Sequence, residues 1–479
     1  MHDSQDLDLP LYHVTPRETC SHREAHEGTI IFGGPGSCKS TGSGAEIASK
    51  MLSAGYGGLV LCVKPDEATR WISRCRRANR DADIIRISPG GENKLNILDY
   101  EYRRHGRESA FTTELAAMMQ SAMDGGQRAK HADDPFWEFK PQELLINTIE
   151  LDVLCAVDRQ QLSILSLLDT IRNVPQSVES SRTFSDDIYR RMLEDKGQPV
   201  WNGECYRKLK YIQSREYGIR NGDRDETIRY FTEDLPWMAP ETRTGIVATL
   251  MGRLAGLARS PFRELFATNT TVTPEDTFSG RIIILDLPIK TYGEVGRFAQ
   301  VLFKLIWQRA VERRGSRGRS VFLWADEGQH FVTRSDMLFL QTARESRAST
   351  VYITQSVANI YAALNEGGES NHSADSFLGN FQTMIFHANA CPVTNEWASR
   401  VFQSDFRSVG GMATDEAGQL LPSVKKELHP VVLPIEFTTL KKGGPVNKNT
   451  AEAFVFRAGR KWKSNKDKNY IIGQFQQTF

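Results

Sequence analysis

Gly33-Gly34-Pro35-Gly36-Ser37-Cys38-Lys39-Ser40-Thr41 is the stretch on which the reading of this chain turns. Before it, residues 29–32 (TIIF) form a short apolar run of strand type; after it, residues from about 39 to 54 have helical composition until Gly55 and Gly57 end it. Strand, glycine-rich loop, lysine, hydroxyl and helix follow in the order of the GxxxxGK[ST] pattern. Glycines there let backbone N–H groups turn inward around a phosphate, helped by the positive end of the following helix. Lys39 is expected to reach the β- and γ-phosphates, and the Ser40 hydroxyl to ligand Mg²⁺. The bland alternative is a glycine-rich turn with an incidental lysine. One position departs from the pattern: Cys38 stands where glycine is asked for, and its Cβ restricts the backbone close to the phosphate. Binding is expected to survive; the vigour of hydrolysis is the property this cysteine puts in question.

A P-loop needs an acid partner. Val321-Phe322-Leu323-Trp324-Ala325-Asp326-Glu327 reads as a buried strand ending in two carboxylates, the first to hold Mg²⁺ through water and the second to polarise the attacking water. A rival run, residues 282–286, also ends in an acid. Asp286 lacks a second carboxylate, so it reads as a strand-end turn residue. Thr350-Val351-Tyr352-Ile353-Thr354-Gln355 is a further strand, and an amide at its end can sense the γ-phosphate.

Outward from these motifs, short apolar runs alternate with helical segments: residues 58–64 and 83–87, then 281–287, 320–325, 350–354 and 383–387. Such alternation predicts parallel βαβ units with both sheet faces covered, an α/β class. Between about 109 and 259 strand signals vanish. Residues 144–157 are apolar nearly all round, and Ser163 can cap a helix carrying Ile164, Leu167, Leu168 and Ile171 at helical spacing. Residues 173–187 read as a loop, the first 28 residues as a polar lead, and the tail past Gly410 as loop-rich with one terminal strand pair near 453–457 and 470–472.

The bulk numbers exclude several classes. With 479 residues the chain holds two or three domains. Lys plus Arg is 60 against 59 acidic residues, a net charge of +1, so any nucleic-acid contact must come from local patches. The candidates are Arg74, Arg76, Arg77 and Arg80; Arg103, Arg104 and Arg107; and Arg313, Arg314, Arg317 and Arg319, each more simply read as a solvated face. Seven scattered cysteines without CxxC spacing argue against a zinc site or disulfide framework. No run is long and apolar enough to span a membrane, and MHDSQDLDLP is not a signal peptide, so a cytoplasmic location is expected.

At this point the sequence resembles the coupling ATPases of conjugation and type IV secretion, the TraG/TraD-like group within the FtsK/HerA branch of RecA-like motors. The resemblance is carried by GGPGSCKSTGSG (33–44), GGLVLCVKPDE (57–67), and FLWADEGQHF (322–331) through ARESRASTVYITQS (343–356), with weaker echoes in DPFW (134–137) and LKKGGP (440–445). It implies a RecA-like P-loop domain with an inserted all-α domain, divided as residues 1–108 and 271–410 for the ATPase halves, 109–270 for the insertion, and 411–479 for a tail packed on the ATPase domain. It also implies a homo-hexamer (a monomer without ligand stays open) with ATP and Mg²⁺ between subunits. The loop Gly33 to Thr41 would hold the nucleotide, Ser40 and Asp326 the metal, and Glu327, Lys39 and Gln355 would carry the chemistry. Arg344 is implied as the finger reaching the neighbour's γ-phosphate, with Arg347 the alternate. DNA and relaxosome or secretion-channel proteins are the implied partners, and peripheral placement at the inner membrane stays open. The function expected is therefore an ATP-driven DNA translocase. A nucleotide-gated docking platform that hardly hydrolyses is the alternative, kept by Cys38; a metabolite kinase fits poorly with the Asp-Glu and Gln strands.

Overall fold

The computed structural model describes residues 6–105, 110–123, 136–156, 162–198, 200–364, 372–414 and 420–478. Thirteen strands are present among them: β1 (Pro10–Thr15), β2 (Glu18–Ser21), β3 (Thr29–Phe32), β4 (Gly57–Leu61), β5 (Ile84–Ile87), β6 (Ile282–Leu285), β7 (Val321–Asp326), β8 (Ala348–Thr354), β9 (Thr383–His387), β10 (Ser404–Thr414), β11 (Leu420–Pro430), β12 (Thr450–Arg457) and β13 (Tyr470–Gln476). Nine form one sheet of order β13-β12-β9-β3-β8-β7-β4-β6-β5. β3 runs parallel to β8 and β9, and β7 parallel to β8 and β4. β12 pairs antiparallel with β9, and β13 antiparallel with β12.

Every residue of β3, β4, β7, β8 and β9 is buried, as expected of central strands covered on both faces. β13 instead alternates buried and exposed positions, the pattern of an edge strand with one wet face. Beside β7 and β4 the helix Glu67–Arg77 lays Trp71 against Phe322 and Trp324, with ring centroids 5.6 and 5.2 Å apart. This α/β class with a mainly parallel sheet agrees with the sequence reading.

By compactness the chain divides into two units. The first comprises residues 1–84, 277–283 and 308–479; the second, residues 85–276 and 284–307. Between residues 109 and 259 the second unit contains only helices among its described residues, which agrees with the all-α reading of this region. Its core holds Leu144, Leu145, Leu167, Leu168, Ile171 and Leu250, all fully buried. The Ser163 cap forms as expected, accepting the Ser166 N–H.

Three expectations are corrected. The supposed loop at 173–187 carries the helix Val178–Ser185 and the start of the helix Asp187–Asp195. Ser177 and Asp186 supply their N-caps, so polar residues in the supposed loop are helix starts. The polar lead folds as the β1–β2 hairpin and a short helix, His22–Ala25, closed by a capping box between Ser21 and Glu24. The tail past Gly410 is not loop-rich: β10 and β11 form a long antiparallel ribbon. Its cross-strand hydrogen bonds, not an apolar alternation, define it. Asp134, Pro135 and Arg107 lie outside the described residues.

Candidate nucleotide site

The loop after β3 is tied at both ends. Gly33 donates its N–H to the Thr354 carbonyl at 3.3 Å and Gly34 to that of Ala388 at 2.9 Å, so the loop starts where β8 and β9 end. A Cβ on Gly33 would come within 2.3 Å of the Ser37 hydroxyl, which is why the position needs glycine. The loop then turns through Pro35, Gly36 and Ser37, and the Ser37 N–H returns to the Gly34 carbonyl at 3.2 Å. The helix begins at Ser43 rather than near Lys39, because residues 39–42 form turns before it. Gly44 donates to the Lys39 carbonyl at 2.9 Å, and Thr478 of the tail to the Thr41 carbonyl at 2.8 Å.

Cys38 has φ of 66°, in the left-handed region that glycine favours. The glycine missing from the pattern is thus missing at a position whose backbone would prefer one. The Cys38 side chain lies against the tail loop at Gly443.

Two features of the loop point to an anion. Lys39 is only 8% exposed, and among the described residues its ammonium has no hydrogen bond or ion pair; its charge is felt by Glu327 and His387. The Ser37 hydroxyl is buried and, among the described residues, has no hydrogen-bond partner. A buried cation and a buried hydroxyl without partners are costly unless an acceptor arrives, and a phosphate supplies one. His387 closes the loop's inner side, its Nε2 2.7 Å from the Ser43 Oγ.

Asp326 and Glu327 end β7, buried at 7% and 6% exposure. Asp326 accepts the Glu327 N–H at 2.9 Å and shares one pocket with Ser40, Glu67, Trp71 and Arg74. Ser40 and Asp326 line that pocket beside Arg70 and Arg74; a serine and an aspartate are the residue types that suit Mg²⁺, which keeps several waters and needs few protein ligands. Glu327 has left-handed backbone, φ 52°, strain of the kind that clusters at functional sites. Its carboxylate accepts Lys64 Nζ at 3.1 Å, Gln355 Nε2 at 3.1 Å and Gln329 Nε2 at 3.1 Å. Burial alone would raise its pKa; the two amides, Lys64 and Lys39 together outweigh burial and bring it to about 2. Gln355 is positioned by its own backbone, whose carbonyl accepts from Asn389 at 2.9 Å.

Sheet order explains this convergence: β8 lies between β3 and β7, so the ends of three strands place Lys39, Gln355 and Glu327 side by side. Asp286 is engaged elsewhere, accepting Arg86 Nε at 2.8 Å. Arg344 precedes β8 and so stands at the other end of the sheet, 62% exposed and 3.5 Å from Glu27. The seven-residue strand between it and the loop spans roughly 23 Å, beyond the reach of an arginine side chain within one chain. Several patch arginines have internal duties: Arg80 bonds the Tyr56 carbonyl at 2.6 Å, and Arg314 those of Arg319 and Ser346 at 2.8 and 2.6 Å. Lys64, Glu67, Gln329 and His387 were assigned no role from sequence. A lysine and glutamate three apart, just past a buried strand, were the available signal for the first two.

No known family profile matches the sequence, and no curated protein matches it. Solved structures do. The bacterial conjugative coupling protein TrwBdeltaN70, in its unbound monoclinic form, superposes with a TM-score of 0.63 over 98% of this chain and 89% of that one, at 12% identity. The chain has the fold of a conjugative coupling protein. The same coupling protein in complex with the ATP analogue ADPNP gives a TM-score of 0.61 at 13% identity, over 95% of this chain and 87% of that one. Its complex with ADP and Mg²⁺ gives 0.61 at 12% identity, over 96% and 87%. At such identities the likeness to the coupling protein is one of fold. Among the described residues, no helix is long and apolar enough to cross a membrane.

Proposed function

We propose that this chain is an ATPase motor of the conjugative coupling type, binding ATP with Mg²⁺ and working on DNA or nucleoprotein as a homo-hexamer. The observation that carries the reading is the meeting of Lys39, Ser40, Asp326, Glu327 and Gln355, from three separate strand ends, in a coupling-protein fold. Bound Mg²⁺ would offset charge on the β- and γ-phosphates. Lys39 places its charge on those phosphates, while backbone N–H groups of Gly33 to Thr41 surround them. Ser40 and Asp326 would hold the metal. Glu327 orients the attacking water, Gln355 links it to the γ-phosphate, and Arg344 reaches a neighbouring subunit's nucleotide.

In this reading residues 1–108 and 271–410 are the two parts of the ATPase domain, 109–270 the helical insertion, and 411–479 a tail on the ATPase domain. Relaxosome or secretion-channel proteins are the further partners, and the place of work is the cytoplasm, peripheral to the inner membrane. A second reading, a nucleotide-gated docking platform, is favoured by the left-handed backbone at Cys38. Phosphate release with and without single- or double-stranded DNA, read beside the oligomeric state with ATP, separates them. DNA-stimulated release from a ring supports the motor. ATP-dependent assembly without appreciable release supports the platform, and neither assembly nor release sinks both.

A further inference from the structure

β4 and β7 are parallel neighbours, with Leu61 beside Ala325. Lys64, three residues past that pair, therefore comes out of the sheet beside Glu327, two residues past it. The turn that carries Lys64 is pinned by the first residue of the next helix. Glu67, 4% exposed, accepts the N–H groups of Val63 and Lys64 with one carboxylate oxygen, at 2.5 and 3.1 Å. The stretch Lys64-Pro65-Asp66-Glu67 is thus one device: the glutamate fixes the backbone, and the lysine side chain crosses to the next strand. There Lys64 Nζ meets Glu327 Oε1 at 3.1 Å, half-buried against a buried carboxylate. Burial disfavours its charge, but Asp326 and Glu327 more than compensate, so Lys64 stays an ammonium.

The consequence lies at Glu327. Its two oxygens are taken up by a cation and two side-chain amides, from Lys64, Gln355 and Gln329. A carboxylate so occupied is held in place and is a poor acceptor for the proton of a water. We propose that Lys64 is a positioning residue that clasps Glu327 at rest, and that the clasp opens when nucleotide occupies the site; this rests on the motor reading's placement of Glu327 beside the nucleotide. Lys64 itself touches no reacting atom. Its role is to keep the acid disengaged until a phosphate competes for the surrounding donors, which would limit hydrolysis in a motor that has nothing to move.

A double-mutant cycle on the full chain tests the clasp without relying on turnover. Thermal midpoints are measured for the parent, Lys64→Met, Glu327→Gln and the double variant, free and with saturating ADPNP and Mg²⁺. The clasp requires the two changes to be non-additive in the free protein and additive with the analogue bound. Steady-state hydrolysis adds a second readout: Lys64→Met should raise kcat without DNA about fivefold, the rate equivalent of one partly buried ion pair, with KM unchanged. Lys64→Arg, which keeps the charge and its donors, should restore the parent rate; Lys64→Gln, which removes the charge, takes the place of the methionine variant in the cycle should that one fold poorly. Additivity in the free protein, or the same non-additivity with the analogue present, overturns the clasp. No shift of the parent's midpoint on adding the analogue overturns both its opening and the nucleotide reading. Non-additivity relieved by the analogue, in a protein that does not hydrolyse ATP, sinks the motor and leaves the clasp standing.

Discussion

The sulfur of Cys38 fills the space where residue 443 would carry a side chain: a Cβ built on Gly443 would lie 2.5 Å from Cys38 Sγ. The P-loop and the tail are therefore fitted to each other at the one position where the loop departs from its pattern. Cys38 also holds φ of 66°, a conformation that costs a non-glycine residue about 1 kcal/mol or more. Cys38→Gly should relax the loop and raise nucleotide affinity about fivefold, the equivalent of about 1 kcal/mol. Titration with a fluorescent ATP analogue reads this directly. Equal affinity and equal turnover in the two proteins would show that the loop accommodates cysteine without loss.

Gly443→Ala tests the same contact from the other side. The added methyl must displace either the Cys38 sulfur or the Gln477 amide, which is 2.6 Å from the same point. Overpacking of this kind costs about 1–3 kcal/mol, visible in the denaturation midpoint. Combined with Cys38→Gly the loss should shrink. An equal loss in both backgrounds would mean that the sulfur does not bear on residue 443.

Lys39→Ala should abolish nucleotide-dependent behaviour, because the loop loses its one buried positive charge. Glu327→Gln should bind nucleotide like the parent and stop turnover, since the amide keeps the shape but not the basic oxygen. Binding and phosphate release, measured side by side, check both. Hydrolysis at the parent rate by the glutamine variant would remove Glu327 from the chemistry.

Two buried histidines set a pH dependence of stability. Burial, then His22 and nearby arginines, holds His26 down to about 3; burial and Lys39 do the same to His387. In the unfolded chain a histidine titrates near its ordinary value of about 6.5. The folded values are depressed, so these groups' stability contribution is complete above the unfolded pKa and is lost as pH falls from there toward 3. At pH 5 each should have cost roughly 2 kcal/mol relative to pH 7. His387→Gln, which can keep a bond to Ser43, should shrink the difference between unfolding free energies at pH 7 and pH 5 by about that amount. An unchanged difference would mean His387 protonates freely in the folded protein.

Arg344 stands across the sheet from its own chain's loop, so any action on a phosphate must be on a neighbour's. Arg344→Ala should lower hydrolysis by roughly 10³-fold while ATP still binds. Mixed with an excess of Lys39→Ala chains it should regain activity in part, because some interfaces then pair a sound loop with a sound arginine. Full activity of Arg344→Ala alone, or no rescue in a mixture shown to co-assemble, would shift attention to Arg347.

The strands that carry the site were legible because their signals are local. TIIF, VFLWAD and the run ending in Thr354-Gln355 are apolar stretches closed by glycines or polar residues, and each occupies the strand expected of it within a few positions. The helical nature of the region after residue 109 was legible for the same reason: spacing and caps act within one or two turns. What stayed hidden depends on partners far along the chain. The β10–β11 ribbon exists because 404–414 finds 420–430, and neither half alternates strongly enough to announce it. Ser177 and Asp186 could have been read as breakers or as caps, and only the packed helices decide between them. The Lys64–Glu327 pair joins residues 263 apart, brought together because β4 and β7 are neighbours. By itself, then, the sequence determined which residues could do chemistry and which local elements carry them, since backbone preference and apolar spacing act at short range. Only the tertiary structure decided which of those side chains meet, because strand order is set by burying whole faces against one another.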